Sequence, residues 1–210
     1  MAGRRVQGVI MASAAMAISI TASCTPPEPK ASNAVPPPAA APATAPVVWA
    51  SFGADESSAS GTVESFEGRW PQRVLGGLPA TAEMVNLATS GASISGGAAE
   101  QLARLDQSGI RPTVATVWFG SNEPEGRSAA FTRSLTSLVD ELKRRGATTV
   151  VLIGRRSAGG RGPYRYADEV EQVAGSTGSP FVPVDGLGRN AGDPAVQQRI
   201  ADAVGGHLAP

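Results

Sequence analysis

From Val47 onward, short apolar runs alternate along the chain with longer stretches in which apolar residues recur every three or four positions. Runs of the first kind are typical of buried strands, and stretches of the second kind are typical of amphipathic helices. Strands that alternate with helices form parallel sheets covered by helices. The pattern therefore predicts a single doubly wound α/β domain with a five-stranded parallel sheet, whose strands span residues 47–52, 82–88, 113–119, 148–153 and 180–184.

Two helices have the clearest sequence signals. Over residues 128–145 the apolar side chains fall on one face, and Gly146 follows as a helix end. Asp193 followed by Pro194 is a typical helix start and predicts the last helix over 194–204.

The tryptophans add to the prediction of the core. Trp49 and Trp118 lie in predicted strands and should be buried, and Trp70 is interpreted as the start of the first helix. All the aromatic residues follow Pro46, so only the part of the chain after this proline builds a core.

The N-terminal segment has the layout of a secretory signal: a pair of arginines, an apolar stretch from Val9 to Ile20 and small residues that lead to Cys24. The apolar stretch is short for a membrane span. TASC resembles a bacterial lipobox, whose cysteine carries the lipid and becomes the mature N-terminus. We therefore predict a signal peptide over 1–23, lipidation of Cys24 and an extracytoplasmic protein anchored to the cell membrane. The alternative is an ordinary cleaved signal with an incidental cysteine.

The next segment, over 24–46, is rich in proline and alanine and has no hydrophobic period. Such a sequence does not bury a core and is predicted to be a disordered tether. At roughly 3 Å per residue it reaches up to about 65 Å from the membrane surface, which suggests a partner in the cell envelope. The folded domain is predicted over 47–210.

Net charge and motif spacing argue against nucleic-acid binding and against a metal or nucleotide cofactor. The chain has 18 basic and 18 acidic side chains, so no net charge attracts it to nucleic acid. No zinc, dinucleotide or P-loop spacing is present, and we expect neither a metal nor another cofactor. The sole cysteine, at position 24, excludes a disulfide within the mature chain.

Ligands of doubly wound sheets bind outside the carboxyl ends of the strands, and three segments at these ends stand out. They read VNLATSGAS, VWFGSNE and FVPVDGLG. Together they resemble the SGNH hydrolases, also called the GDSL family of esterases and lipases, over nearly everything from residue 47 to about residue 204. The resemblance implies that Gly91 and Asn122 take the oxyanion positions, that Gly120 shapes the turn, and that Asp185 takes the acid position.

The family's chemistry needs a serine nucleophile, a histidine base and an aspartate that orients the imidazole. Its motif ends in Asp-x-x-His, whereas this chain has Gly188 at the histidine position. The only histidine, His207, lies beyond the last predicted helix and is expected to be exposed. The resemblance therefore implies that the base is missing.

The first loop, FGADESSASG, also departs from the family. Some members have Gly-Ala-Ser-Glu in place of Gly-Asp-Ser, and an ungapped match to that form puts Asp55 at the nucleophile position. A gapped match puts Ser57 there instead. We favour the ungapped match because Gly53, Ala54 and Glu56 then all agree with the family.

Three functions remain open. The first is a catalytically degenerate lipoprotein that binds a cell-envelope glycan, lipid or protein in the former catalytic cleft. The second is an active acyl hydrolase on envelope lipids or polysaccharides, which retains Gly91, Asn122 and Asp185. The third is a glycoside hydrolase that uses the carboxylates of Asp55 and Asp185 at a separation of roughly 6–8 Å.

Further charged residues lie at the same predicted end of the sheet. Glu56 and Glu123 add carboxylates, and like charges in one cleft either raise at least one pKa, which gives a general acid, or hold a cation. The alternative is that Asp55 caps the following turn and Asp185 bonds loop amides. An arginine-rich loop follows the fourth strand and is a candidate for binding phosphate or carboxylate groups, with a solvated surface loop as the alternative. Its candidate ligand-binding residues are Arg155, Arg156 and Arg161.

Overall fold

The computed structural model describes residues 46–58, 68–154, 166–185 and 193–208. The predicted signal peptide and nearly all of the predicted tether lie outside these ranges. The same is true of the following site candidates: Cys24, Arg155, Arg156, Arg161 and Gly188.

The described chain alternates strand and helix from β1 to α5. The strands are β1 (Val48–Gly53), β2 (Glu83–Asn86), β3 (Val114–Trp118), β4 (Thr149–Gly154) and β5 (Phe181–Pro183). The helices are α1 (Trp70–Gly77), α2 (Ile94–Ser108), α3 (Ser128–Arg144), α4 (Ala167–Thr177) and α5 (Pro194–Gly205). None of the described helices combines the length and the apolar composition that crossing a bilayer requires.

The strands form one five-stranded sheet in the order β2-β1-β3-β4-β5, and every neighbouring pair is parallel. The predicted fold class is therefore confirmed. The strand order reverses between β1 and β3, because the chain moves to one side of β1 for β2 and to the other side for β3. Such a switch point opens a crevice at the carboxyl ends of its two strands. The loops after β1 and β3 border this crevice.

Side chains that alternate along each strand fill two hydrophobic layers, one on each face of the sheet. Phe52 and Leu152 pack with residues of α2, α3 and α4. Trp49 and Ile153 face the opposite way and pack with residues of α1 and α5. Because both faces of the sheet are covered, its central strands are mostly apolar, and even the polar side chains of Ser51 and Thr116 within them are buried.

The tryptophans form a buried cluster on the face that α1 and α5 cover. Trp49 and Trp118 are 0% and 4% exposed, as predicted, and Trp70 is the first residue of α1. The ring of Trp70 lies 5.8 Å from that of Trp49 and 6.2 Å from that of Trp118. This cluster fixes the start of α1 against the two central strands.

The ends of the elements follow local chemistry. Gly146 ends α3 as predicted, since its N–H donates to the Lys143 carbonyl at 3.1 Å. The Asp193 side chain accepts from the Ala195 N–H at 2.8 Å and starts α5. Strand β5 is one residue shorter at each end than predicted, although the Leu152 N–H donates to the Pro180 carbonyl at 2.8 Å and the Val184 N–H donates to the Gly154 carbonyl at 2.9 Å.

Candidate functional site

The site begins with the tight turn that follows β1. Gly53 has φ +154°, and a Cβ at this position would lie 2.5 Å from the Trp118 carbonyl oxygen of β3. The next N–H, that of Ala54, donates to the same carbonyl at 3.2 Å. Only glycine permits so close an approach of the two backbones. The turn therefore brings the residue after Ala54, which is Asp55, to the crevice between β1 and β3.

A buried glutamine on α2 fixes this turn. The Gln101 side chain is fully buried, its Oε1 accepts from the Gly53 N–H at 3.0 Å, and its Nε2 donates to the Gly53 carbonyl at 2.8 Å. The Gly53 carbonyl also accepts from the Thr89 N–H at 3.1 Å, so Gln101 is the described partner of the Gly53 N–H and one of two donors to the Gly53 carbonyl. The same helix starts next to the loop after β2, so α2 couples the two loops mechanically.

The loop after β2 has its own side-chain supports. Asn86 donates from Nδ2 to the Ser57 carbonyl at 2.8 Å and accepts from the Ala88 N–H at 3.1 Å. The Arg104 guanidinium on α2 donates to the Leu87 carbonyl and, at 2.6 Å, to the Thr89 hydroxyl. The Ser90–Gly91 turn that follows is therefore held from both sides.

The Asp55 carboxylate lies where three loops meet and accepts one hydrogen bond from each of three neutral donors. Its Oδ1 accepts from the Ser90 hydroxyl and, at 3.0 Å, from the Gly91 N–H. Its Oδ2 accepts from the Asn122 side-chain amide at 2.8 Å. Gly91 has φ +73°, a conformation that glycine adopts without strain. The two donors that the sequence resemblance assigns to an oxyanion thus both bind the Asp55 carboxylate.

These donors determine the charge of Asp55. Burial of the half-buried carboxyl by itself raises its pKa, but the hydrogen bonds from Ser90, Asn122 and Gly91 outweigh burial and hold the pKa below its usual value. Asp55 is therefore ionised at neutral pH. A carboxylate stabilised in this way is a weak base.

Ser57, the alternative nucleophile of the sequence analysis, lies elsewhere. Its side chain is fully buried, and its hydroxyl has no hydrogen-bond partner among the residues that the structure describes. The hydroxyl faces Gly53, where a Cβ would lie 3.1 Å from it. The structure therefore brings Asp55, and not Ser57, to the amide groups of Gly91 and Asn122.

The two candidate glutamates make local hydrogen bonds. Glu56 is 7% exposed, and its Oε2 accepts from the Ser121 hydroxyl at 3.1 Å. Glu123 accepts at 2.5 Å from the N–H of Ile94, the first residue of α2. Burial raises the pKa of Glu123, and the hydrogen bond from Ile94 offsets part of this rise. These bonds attach both glutamates to the scaffold of the site.

The two candidates near the C-terminus, Asp185 and His207, follow β5 and α5. Asp185 is half-buried and follows the end of β5 by two residues. His207 is exposed beyond α5, as expected, and its backbone N–H donates to the Val204 carbonyl at 3.0 Å. In the described part of the chain, no three histidine, cysteine or acidic side chains come together to hold a metal ion.

Sequence reasoning assigned no role to Ser90, Gln101 or Arg104, which position or contact Asp55. Gln101 had a detectable signal, because it occupies the buried face of α2 together with Ile94 and Leu105. A polar residue at such a position needs a buried partner. Ser90 and Arg104 had no comparable signal, since serine and arginine are common on loops and exposed helix faces.

The sequence model of the GDSL-like lipase/acylhydrolase family matches residues 19–208 of the chain. No curated protein matches it. Among solved structures, that of TesA is 23% identical with a TM-score of 0.61, and the match covers 77% of this chain and 97% of that one.

Two further solved structures have the same fold at lower identity. The psychrotrophic esterase EstA from Pseudoalteromonas sp., inhibited by monoethylphosphonate, is 18% identical with a TM-score of 0.60, over 77% of this chain and 96% of that one. A member of the lipolytic G-D-S-L family from Veillonella parvula DSM 2008 is 11% identical with a TM-score of 0.61, over 75% and 96%. At these identities the structural matches show the fold alone.

Proposed function

The chain belongs to the GDSL-like lipase/acylhydrolase family, and we propose that it is a non-hydrolytic member that binds a cell-envelope glycan, lipid or protein in the crevice of the fold. The N-terminal signal, Cys24 and the proline-rich segment support a lipid-anchored, extracytoplasmic location. In this proposal the anchor and tether carry the binding domain to its ligand in the envelope.

One observation carries the proposal: the Asp55 carboxylate accepts hydrogen bonds from both Gly91 and Asn122. An acyl hydrolase needs such donors free to stabilise the oxyanion of its tetrahedral intermediate. An oxyanion placed at Gly91 and Asn122 would be repelled by the negative charge of Asp55. It would also find the two N–H groups already bonded to Asp55. The position that would supply a nucleophilic hydroxyl therefore supplies a competing anion instead.

The missing base supports the same proposal. Activation of a hydroxyl nucleophile needs a group that accepts its proton at neutral pH. The chain has Gly188 at the family's histidine position, and His207 is exposed beyond the last helix. The lowered pKa of Asp55 makes this carboxylate a poor substitute for an imidazole.

The test is hydrolysis of short acyl esters by the purified full-length protein in detergent. We expect no turnover above the spontaneous rate. The double change Asp55→Ser with Gly188→His should produce measurable turnover, and either single change should produce far less, because nucleophile and base act as a unit. Steady turnover by the unmodified protein contradicts the proposal, and its loss in Ser57→Ala would identify the gapped match as the correct one.

An active hydrolase with a displaced nucleophile is the second candidate, and one contact favours it. The exposed Ser90 hydroxyl donates to the Asp55 carboxylate, an arrangement in which a carboxylate accepts the proton of an attacking serine. Turnover by the unmodified protein that disappears in Ser90→Ala but survives in Ser57→Ala would establish this second function.

Membrane anchoring has a separate test. Labelling with a fatty-acid probe in the native host should mark the wild-type protein, and Cys24→Ala should leave it unlabelled and unprocessed or released from the membrane. A wild-type protein with a cleaved, soluble and unlabelled N-terminus would instead establish an ordinary secretory signal.

A further inference from the structure

Asp55 changes the hydrogen-bonding character of the crevice. The Ser90 hydroxyl and the Gly91 N–H of the loop after β2, together with the Asn122 side-chain amide of the loop after β3, all donate to Asp55 of the loop after β1. A carboxylate accepts and does not donate. The donors that would bind a carbonyl or phosphonate oxygen are therefore already used within the protein.

The groups that remain directed outward are acceptors. Ser90 and Asn122 are exposed, so the hydroxyl lone pairs of Ser90 and the Oδ1 of Asn122 are open to a ligand. Within the described ranges no residue donates to either of these two oxygens. Asp55 is only half-buried, and its Oδ2 accepts a single described hydrogen bond although a carboxylate oxygen accommodates two.

We propose that the crevice binds a glycan through its hydroxyl groups or through the ammonium group of an amino sugar, and that it rejects anionic acyl, carboxylate and phosphate groups. This inference rests on the proposed function and selects one of its three ligand classes. Sugar hydroxyls and ammonium groups supply several donors on neighbouring atoms, which matches acceptors on three neighbouring loops. A carboxylate brings only further acceptors, a phosphate brings mostly acceptors, and each adds a second negative charge.

The negative charge on Asp55 strengthens the preference for ligands that donate hydrogen bonds over anionic ligands. Its three partners are neutral, so they stabilise the carboxylate without cancelling its charge. Hydrogen bonds to an ionised acceptor are about twice as strong as bonds between neutral groups. A ligand donor that reaches Asp55 Oδ2 therefore gains a charge-assisted bond, whereas an anion at the same place meets repulsion.

Nuclear magnetic resonance of the full-length, isotope-labelled protein in detergent tests this inference. The amide signals of Gly91 and Asn122 are followed during titration with four probes: methyl glucoside, glucosamine, acetate and inorganic phosphate. In the wild-type protein we expect the two sugars to shift these signals and to bind at least roughly tenfold more tightly than acetate or phosphate. A larger response to glucosamine than to methyl glucoside identifies the ammonium as the main contact, and the reverse identifies the hydroxyls.

Two variants make the test specific. Asp55→Ala removes the internal acceptor, so acetate should now shift the Gly91 and Asn122 signals and the response to sugars should fall. Ser90→Ala removes one outward acceptor and should weaken sugar binding several-fold. Asp140→Ala removes an exposed carboxylate from the distant part of α3 and serves as the matched control, with no change for any probe.

The outcomes separate this inference from the proposed function. Wild-type protein that binds acetate as well as it binds sugars, or that binds neither sugar, overturns the glycan inference and leaves the non-hydrolytic proposal intact. Ester turnover by the same preparation overturns the proposed function. If Asp55→Ala does not give a folded spectrum, the comparison of Ser90→Ala with the wild-type protein still tests the glycan inference. Sugar binding that is not weakened in Ser90→Ala contradicts this inference.

Discussion

Two carboxylates, one near each end of α2, are stabilised in different ways. At its N-terminal end the Asp55 carboxylate accepts hydrogen bonds from neutral donors of the loops after β2 and β3. At its C-terminal end the exposed Asp106 pairs with both Nε and Nη2 of Arg145, each at 3.0 Å. The pKa of Asp106 is lowered mainly by this hydrogen-bonded arginine. Both groups are therefore ionised, but among the residues that the structure describes only Asp106 of the two pairs with a counter-ion.

The difference indicates what each end of the helix does. An exposed ion pair is screened by salt and contributes little to stability. Neutral donors arranged around a half-buried carboxylate keep it charged and oriented, which is typical of a binding site. We therefore expect substitutions near Asp55, at the N-terminal end of α2, to lower stability or shift pKa values more than substitutions near Asp106, at its C-terminal end.

The largest effect is expected at Gln101, which anchors the turn at Gly53. In Gln101→Leu the buried Gly53 N–H loses its described partner while the Gly53 carbonyl keeps the Thr89 N–H, and we expect the free energy of unfolding to fall by about 1–3 kcal/mol. Urea denaturation followed by circular dichroism measures this change. The matched control is Gln107→Leu, at an exposed position on the same helix, which should stay within about 0.5 kcal/mol of the wild-type protein. Equal effects of both changes would show that Gln101 is not an anchor.

A smaller effect is expected on the titration of Asp55. Asn122→Ala removes one of the hydrogen bonds that lower the Asp55 pKa, so this pKa should rise toward the usual aspartate value. The carbon-13 signal of the side-chain carboxyl measures it. Asp140→Ala, far from the site on α3, should leave the Asp55 titration unchanged.

The same shift has a consequence for stability. The folded-state pKa of Asp55 is lower than its unfolded value, so its contribution to stability is complete above about pH 4 and is lost as the pH falls through the folded-state pKa. Stability measured from pH 5 downward should therefore fall less steeply in Asn122→Ala than in the wild-type protein. An identical pH dependence would mean that the Asn122 bond does not stabilise the carboxylate.

The smallest effect is expected at the other end of α2. Asp106→Asn removes the exposed charge that pairs with the half-buried Arg145 guanidinium. The change in urea midpoint should be the smallest of the series and should disappear at about 1 M salt, where exposed charges are screened. The Gly91 and Asn122 amide signals should not move. A salt-independent loss comparable to that of Gln101→Leu would contradict the contrast between the two ends.

Most of the fold was predictable from the sequence. Apolar runs and helical patterns, together with local signals such as Asp193–Pro194 and Gly146, located the strands and the ends of α3 and α5 to within two residues. The largest difference is at β2, which was predicted over 82–88 and spans Glu83–Asn86. These features are local, because they depend on the backbone preferences and the burial of neighbouring residues.

The candidate site was predictable in part. The loops that meet at the crevice follow from the parallel sheet and its switch point, and the motif resemblance pointed to Gly91 and Asn122. The sequence left two matches open for the first loop, with Asp55 favoured over Ser57. Gln101 received no role, although it is bonded to Gly53 across 48 positions of the chain.

The sequence by itself determined the alternation of strands and helices, the edge of the sheet that carries the loops, and the absence of a histidine at position 188. Only the tertiary structure decided that the Asp55 carboxylate, rather than a serine hydroxyl, meets the donors of Ser90 and Asn122. Those partners lie 35 and 67 positions away, so their meeting depends on how three loops pack around one turn. Local sequence sets the shape of each loop. The direction of the Asp55 side chain in the crevice depends on contacts with the other two loops, which are distant in sequence.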